Sequence, residues 1–194
     1  RLSSEKAKLN VTAYYMKYKN QLVLTGALNE VGAPLRENVG DSYRLGLELD
    51  ANIYLSNKWL LRPNIALSNN KNQDYYFQKD GNLINYGNTN IAFSPNIVAG
   101  NGVTFAPSEK LQFSVLSKFV GKQFMGNIDS ASSELPSYFV NDLNVSYEIQ
   151  PKSIFKSVLF SVLVNNFLNT KYVSNGYYYT YDDTWTNPGS TITL

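Results

Sequence analysis

From Tyr43 to Leu55 every second residue is apolar (Tyr43, Leu45, Leu47, Leu49, Ala51, Ile53, Leu55), while Arg44, Gly46, Glu48, Asp50, Asn52 and Tyr54 between them are mostly polar. A strict period of two over this length predicts one extended strand with two unlike faces. The alternation recurs in residues 9–25, 61–67, 91–105, 111–119 and 139–149, where Asp142, Asn144, Ser146 and Glu148 interleave with Leu143, Val145, Tyr147 and Ile149. Residues 158–166 form a seventh strand with a more mixed face, and no helix is predicted. Short connections (56–58, 106–110 and 150–156, punctuated by Pro107 and Pro151) alternate with long ones (26–41, 69–90, 126–137 and everything after 171). All short turns therefore lie at one end of the sheet and all long loops at the other.

Length separates two architectures that share this pattern. Soluble strands run about 5–6 residues, whereas a strand the length of 43–55, tilted by about 40°, spans roughly 33 Å, enough to cross an outer-membrane apolar band. Aromatic residues cluster near predicted strand ends (Tyr14, Tyr15, Tyr18, Tyr43, Tyr54, Trp59, Tyr138, Tyr172), where the girdles of a membrane barrel would sit. The expected fold is all-β, an antiparallel up-and-down transmembrane β-barrel segment of about seven strands. The alternative is a soluble all-β domain that alternates apolar-in with polar-out.

Composition narrows function by exclusion. The chain has 194 residues, 43% hydrophobic, with 15 tyrosines and 10 phenylalanines but only 16% charged residues. A net charge of +2 without any basic run gives no reason to expect a nucleic-acid partner. With no cysteine and no histidine, thiol nucleophiles, disulfides, Cys/His zinc sites and His-dependent triads are excluded together. No cofactor, metal centre or catalytic residue is predicted, and a membrane-barrel hydrolase has no convincing serine/carboxylate constellation. No apolar run is long enough for a transmembrane helix, and the N-terminus lacks a secretory pattern. The chain is expected to be either cytosolic or an internal piece of a longer protein.

Several stretches resemble the C-terminal barrel region of TonB-dependent outer-membrane receptors: YYMKYKNQLVLTG (14–26), NVGDSYRLGLEL (38–49), LSKFVGKQFMGN (116–127), LPSYFVNDLNVSYEI (135–149) and VLVNNFLNTKYVSNGY (162–177). In the last, Asn166, Phe167, Leu168 and Asn169 followed by Lys171 and Tyr172 are similar to the family's penultimate-strand element. The order is collinear over nearly the whole chain, and the first stretches look more like the iron-chelate (siderophore) branch than the polysaccharide-importing one. The resemblance implies a barrel of about 22 strands, filled by an N-terminal plug and driven through TonB, in the outer membrane of a Gram-negative bacterium. Residues 1–194 are then expected to be a partial barrel domain of the receptor, without plug or final strand. Alone it should not close, because an open edge in lipid costs several kcal/mol per unpaired group.

The resemblance implies transport rather than bond-making chemistry: binding of a scarce ligand such as a ferric siderophore or heme-type iron complex, then import. The implied partners are outer-membrane lipid, the plug and remaining strands, the TonB complex and a small-molecule ligand. The ligand-contact candidates are loop aromatics whose flat rings stack on chelates, heme or sugars: Tyr75, Tyr76 and Phe77, and Tyr177, Tyr178, Tyr179, Tyr181 and Trp185. Loop-to-loop packing is the competing role for each. The same aromatics would serve a soluble glycan-binding module, the alternative function. Polar-face residues Arg44, Glu48, Asp50, Asn52, Lys118, Lys122, Asp142 and Glu148 are expected to face a lumen or plug, or to act as ordinary solvated wall residues. Asp182 and Asp183 lack the spaced oxygen ligands of a calcium loop. Gly100 and Gly102 are expected to mark a bulge or a close approach of the plug; the sequons at Asn10 and Asn144 fall on strand faces and carry no signal.

Overall fold

In a computed structural model, residues 2–79, 82–151, 155–176, 178, 180, 181, 184, 185, 192 and 193 are described. Seven long strands form one antiparallel meander: β1 (Ala7–Tyr18), β2 (Ser42–Ser56), β3 (Trp59–Asn72), β4 (Ile97–Ser108), β5 (Leu111–Val120), β6 (Tyr138–Ile149) and β7 (Val158–Val164). Each pairs with its neighbour in sequence, and the two-residue strand Leu2–Ser3 adds to the outer edge of β1. Tight turns join β2 to β3 and β4 to β5, and residues 150–157 connect β6 to β7 at that same end, so the long connections all leave the opposite end of the sheet, as the loop pattern predicts.

Register converts the alternation into two continuous faces. Leu9, Val11 and Ala13 lie opposite Ala51, Leu49 and Leu47; Leu47, Leu49 and Ile53 lie opposite Leu67, Ile65 and Leu61. The row runs on through Ile97, Ala99 and Val103 to Val115 and Phe119, then Leu143, Val145 and Val164. Because the side-chain period is two, one slipped residue would send each of these rows to the other face. Two aromatic groups flank the face: Trp59 stacks on Phe105 at 4.4 Å, with Phe113 beyond, at the tight-turn end, and Tyr15 meets Tyr43 at 6.3 Å at the long-loop end. Tyr14, Tyr54 and Tyr138 fall instead on the polar face.

One row breaks the apolar face. Pro63, Asn101, Ser117 and Asn141 are successive cross-strand neighbours; Ser117 Oγ donates to Asn141 Oδ1 at 2.6 Å, and Asn101 Oδ1 and Asn141 Nδ2 are buried without a partner.

Three sequence expectations need correction. The first strand ends at Tyr18, not near residue 25, because Asn20 takes a left-handed backbone (φ 51°) that interrupts the strand; beyond it Gln21–Leu28 pairs with Pro34–Val39 as a separate hairpin that turns at residues 29–33. The fourth strand starts at Ile97 rather than at residue 91, since Phe93 also adopts a positive φ (52°) that a strand cannot contain. Among the described residues there is no α-helix, as expected, and the loops hold one three-residue 3-10 turn, Ala131–Ser133. Gly100 and Gly102 mark no bulge: pairing is continuous from Ile97 to Phe105 and shifts only between Phe105 and Ser108. Their missing side chains make room for Asn64 and Arg62 to lie along the wall, and Gly46 does the same for Tyr14, whose ring would sit 2.4 Å from a Cβ at that position.

Candidate functional site

The apolar core of this chain is in its loops. Val23, Tyr75, Met125, Ile128, Leu135 and Tyr178 form one buried cluster, with Phe77, Tyr86 and Val173 packed against it. They come from four different long connections: 19–41, 73–96, 121–137 and the segment after β7. Local turn chemistry shapes each one. Asn29 Oδ1 accepts from the N–H groups of Val31 and Ala33 and, with Gly32 at φ 77°, closes the first hairpin. Asp74 (φ 48°) and Gly87 (φ 67°) bracket the second, Tyr76–Lys79 with Asn82–Asn85. In the third, Gln123–Phe124 pairs with Glu134–Leu135. The fourth opens on Asn166, which exchanges side-chain hydrogen bonds with Thr170 through Oδ1 and Nδ2, both at 2.9 Å.

Beneath the cluster a buried polar belt ties the loops to the wall. The Ser42 hydroxyl bonds Gln21. Asn72 Nδ2 donates to Thr89 Oγ1 at 3.1 Å and Asn127 Oδ1 accepts from the Ala92 N–H at 3.0 Å; at the exposed rim of the belt Asp129 takes both the backbone and side-chain N–H of Asn90 at 2.9 Å. The Asn72 and Asn127 side chains are buried, where unpaired donors and acceptors are costly, so the bonds they make fix where the loops meet the strands, although Asn72 Oδ1 itself has no partner. Together the cluster and the belt make a cap on the long-loop end of the sheet.

The predicted aromatics divide accordingly. Tyr75 is 2% exposed and Tyr178 7%, and Phe77 packs against them. Burial, then the charge of Glu37, then Tyr86 push the Tyr75 phenol up to about 12, so it stays neutral at ordinary pH. Tyr76 is 49% exposed. Its ring lines an open cleft of about 550 Å³ between the first two hairpins, with Glu37, Asp41, Asp74 and Leu83. Tyr177 and Tyr179 lie outside the described residues, as do Asp182 and Asp183; Tyr181 and Trp185 belong to a short paired segment, Thr180–Tyr181 with Thr184–Trp185.

The predicted polar-face residues are spread along the wall and converge on no single centre. Arg44 Nη1 donates to Ser94 Oγ at 3.0 Å, and Asp50 Oδ2 accepts from Asn10 at 2.8 Å. Glu48 and Lys118 are exposed, while Asn52 and Glu148 are partly buried. Lys122 pairs with Glu134 at 3.1 Å. Asp142 Oδ1 accepts from the Asn166 N–H at 2.7 Å and so anchors the turn in the Asn-Phe-Leu-Asn element. Among the described residues no cluster of three or more Asp or Glu could hold a metal ion, and no helix is long and apolar enough to cross a membrane, which leaves strand crossing open.

Sequence reasoning missed Val23, Met125, Ile128 and Leu135 and the belt of Ser42, Asn72, Thr89 and Asn127. No periodicity marks them, because each loop contributes only one to three residues to a cluster assembled across the chain.

With this geometry in hand, comparison with known proteins is specific in family and general in detail. Residues 1–167 match the family model "TonB dependent receptor-like, beta-barrel". The fold is similar to the siderophore receptor PiuA from Acinetobacter baumannii (TM-score 0.67, 16% identity, 97% of this chain and 25% of that one). It is also similar to the ferric yersiniabactin uptake receptor FyuA from Yersinia pestis (0.65, 16%, 98% and 27%) and to the copper transporter OprC (0.63, 19%, 88% and 24%). The chain spans about a quarter of the length of each of these structures. No curated protein matches the sequence.

Proposed function

The chain belongs to the TonB-dependent receptor-like β-barrel family, and from that premise we propose that it supplies wall and external cap to an outer-membrane receptor importing an iron chelate of the ferric-siderophore or heme type. One observation carries the reading: a seven-strand apolar face that is left uncovered. Leu45, Leu67, Ile97, Phe139, Phe160 and Val162 are all exposed on it, a surface far larger than soluble monomers leave in water. In a Gram-negative outer membrane that face meets lipid, between the Trp59 and Tyr15/Tyr43 aromatic groups. Arg44, Glu48, Asp50, Asn52, Asp142 and Glu148 then line the lumen, where a plug domain would sit. The outer edge of β1, beyond its short pairing with Leu2–Ser3, and the edge of β7 pair with further strands of the receptor, since unpaired ladder groups do not persist in hydrocarbon.

No bond is made or broken in this role. Ligand binds at the long-loop end, and energy delivered through TonB drives passage. Tyr76 is the loop aromatic best placed to stack on a ligand, with Tyr177, Tyr179, Tyr181 and Trp185 as further candidates. Tyr75, as a buried neutral phenol, would not ligate ferric ion. The test is growth of the native bacterium under iron limitation on single ferric chelates, with the whole receptor deleted and restored and with TonB removed. Growth on at least one chelate should require both proteins. Uptake of every ferric chelate and heme unchanged by the deletion would sink the proposal.

A further inference from the structure

We infer that the segment following β7 is a strap across the long-loop end of the sheet and that Tyr178 is its fastening. Its value as a control on ligand entry rests on the receptor reading; the strap itself does not. The path is visible in three places. After the Asn166–Thr170 turn, Val173–Asn175 runs beside Glu134–Leu135 of the third loop, Tyr178 enters the apolar cluster, and Thr180–Tyr181 runs beside Gln21–Leu28 of the first hairpin. The first hairpin grows from β1 and the strap from β7, six strand spacings apart, or about 29 Å along the sheet. The residues from Val164 to Thr180 reach up to about 50 Å when extended, enough to make the crossing. The strap lies beyond the residues that the family model matches, 1–167.

The fastening has two parts. The Tyr178 ring lies directly on Gly126, where a Cβ would come within 2.9 Å of its Cδ1, so only glycine lets the ring reach the backbone. The phenol oxygen is 3.1 Å from Ser132 Oγ and donates to Ser130 Oγ at 3.4 Å. The ring shares its cluster with Val23 of the first loop, Tyr75 of the second and Met125, Ile128 and Leu135 of the third. Pulling out Tyr178 therefore loosens all three loops at once, and the cap opens as one body instead of as four separate lids.

The test uses the whole receptor in the outer membrane, in a cysteine-free background, this chain having none of its own. Met125→Cys places a reporter thiol in the cluster, and a membrane-impermeant maleimide applied outside reads its exposure. Tyr178→Ala should speed labelling about tenfold or more; Tyr178→Phe, which keeps the ring and loses the hydroxyl, should speed it less. An unchanged rate in Tyr178→Ala overturns the strap. Should Tyr178→Ala fail to assemble, Gly126→Cys/Tyr178→Cys replaces the fastening by a reducible bond. Oxidised receptor should then resist trypsin at Arg36 and reduced receptor should be cut; equal cleavage in the two states overturns the proposal. Neither readout involves a ligand, so a receptor that imports no iron chelate would still show whether the strap exists.

Discussion

The wall and the cap bury their apolar side chains in opposite ways. Along the wall, Leu47, Phe113, Phe139 and Val162 are exposed on a face with nothing packed on it, and strand-to-strand hydrogen bonding holds the sheet together. In the cap, Val23, Tyr75, Met125, Ile128, Leu135 and Tyr178 turn inward onto each other, as in a small water-soluble protein. The proposed placement, with an apolar phase along the wall and water around the cap, requires this difference.

The largest expected effect breaks the wall. Leu47 lies in the middle of β2 between Ala13 and Leu67. Leu47→Arg puts a charge where lipid is expected, at a cost of about 2–4 kcal/mol near the bilayer midplane. The amount of whole receptor reaching the outer membrane as a heat-resistant barrel should fall severalfold. Assembly at the unmodified level would mean that this face does not meet hydrocarbon.

The next effect is confined to the cap. Leu135, at 2% exposure, fills the centre of the cluster, and Leu135→Ala should cost the cap about 2–5 kcal/mol. Limited proteolysis of intact cells should show faster cutting in the long loops, with barrel assembly unchanged. Assembly lost in parallel with loop order would show that cap and wall fold as one unit, and the comparison would fail.

That contrast also explains what the sequence could and could not disclose. Strand alternation is a local signal, so β2, β5 and β6 were legible from residues such as Leu45, Leu47 and Leu49, and the long-and-short rhythm of the loops placed the two ends. The boundary at Tyr18 was not legible, because the apolar pattern runs on through Leu22 and Leu24 while a single left-handed residue, Asn20, interrupts the strand. The cap was least legible of all. Tyr75 and Tyr76 are adjacent and chemically identical, yet one is buried and the other lines a cleft, a distinction made by partners about 50 and 100 residues away, Met125 and Tyr178. Nor could the sequence show that Asp142, on the polar face, also anchors the turn at Asn166.

The smallest effect appears only in alkali, and it reports on the cap alone. The Tyr75 phenol is pushed up to about 12 from 10.0 by burial, with Glu37 and Tyr86 adding to the shift. Below the unfolded value of 10.0 both the packed and the opened loop keep the proton, and the full stability of the cap is present. As pH rises from 10 towards 12 the opened loop ionises while the packed one does not, so packing loses about 1.4 kcal/mol per pH unit, roughly 2–3 kcal/mol once the folded pKa is passed. Hydrogen exchange in the long loops of the whole receptor should accelerate across this window while exchange in the wall strands stays slow. In Tyr75→Phe, which keeps the ring and has no proton to lose, the alkaline acceleration should largely disappear. Should Tyr75 instead titrate near its ordinary value, seen as phenolate absorbance missing from the Phe variant, the phenol is already in water. The cap would then have no core, and the contrast with the wall would go with it.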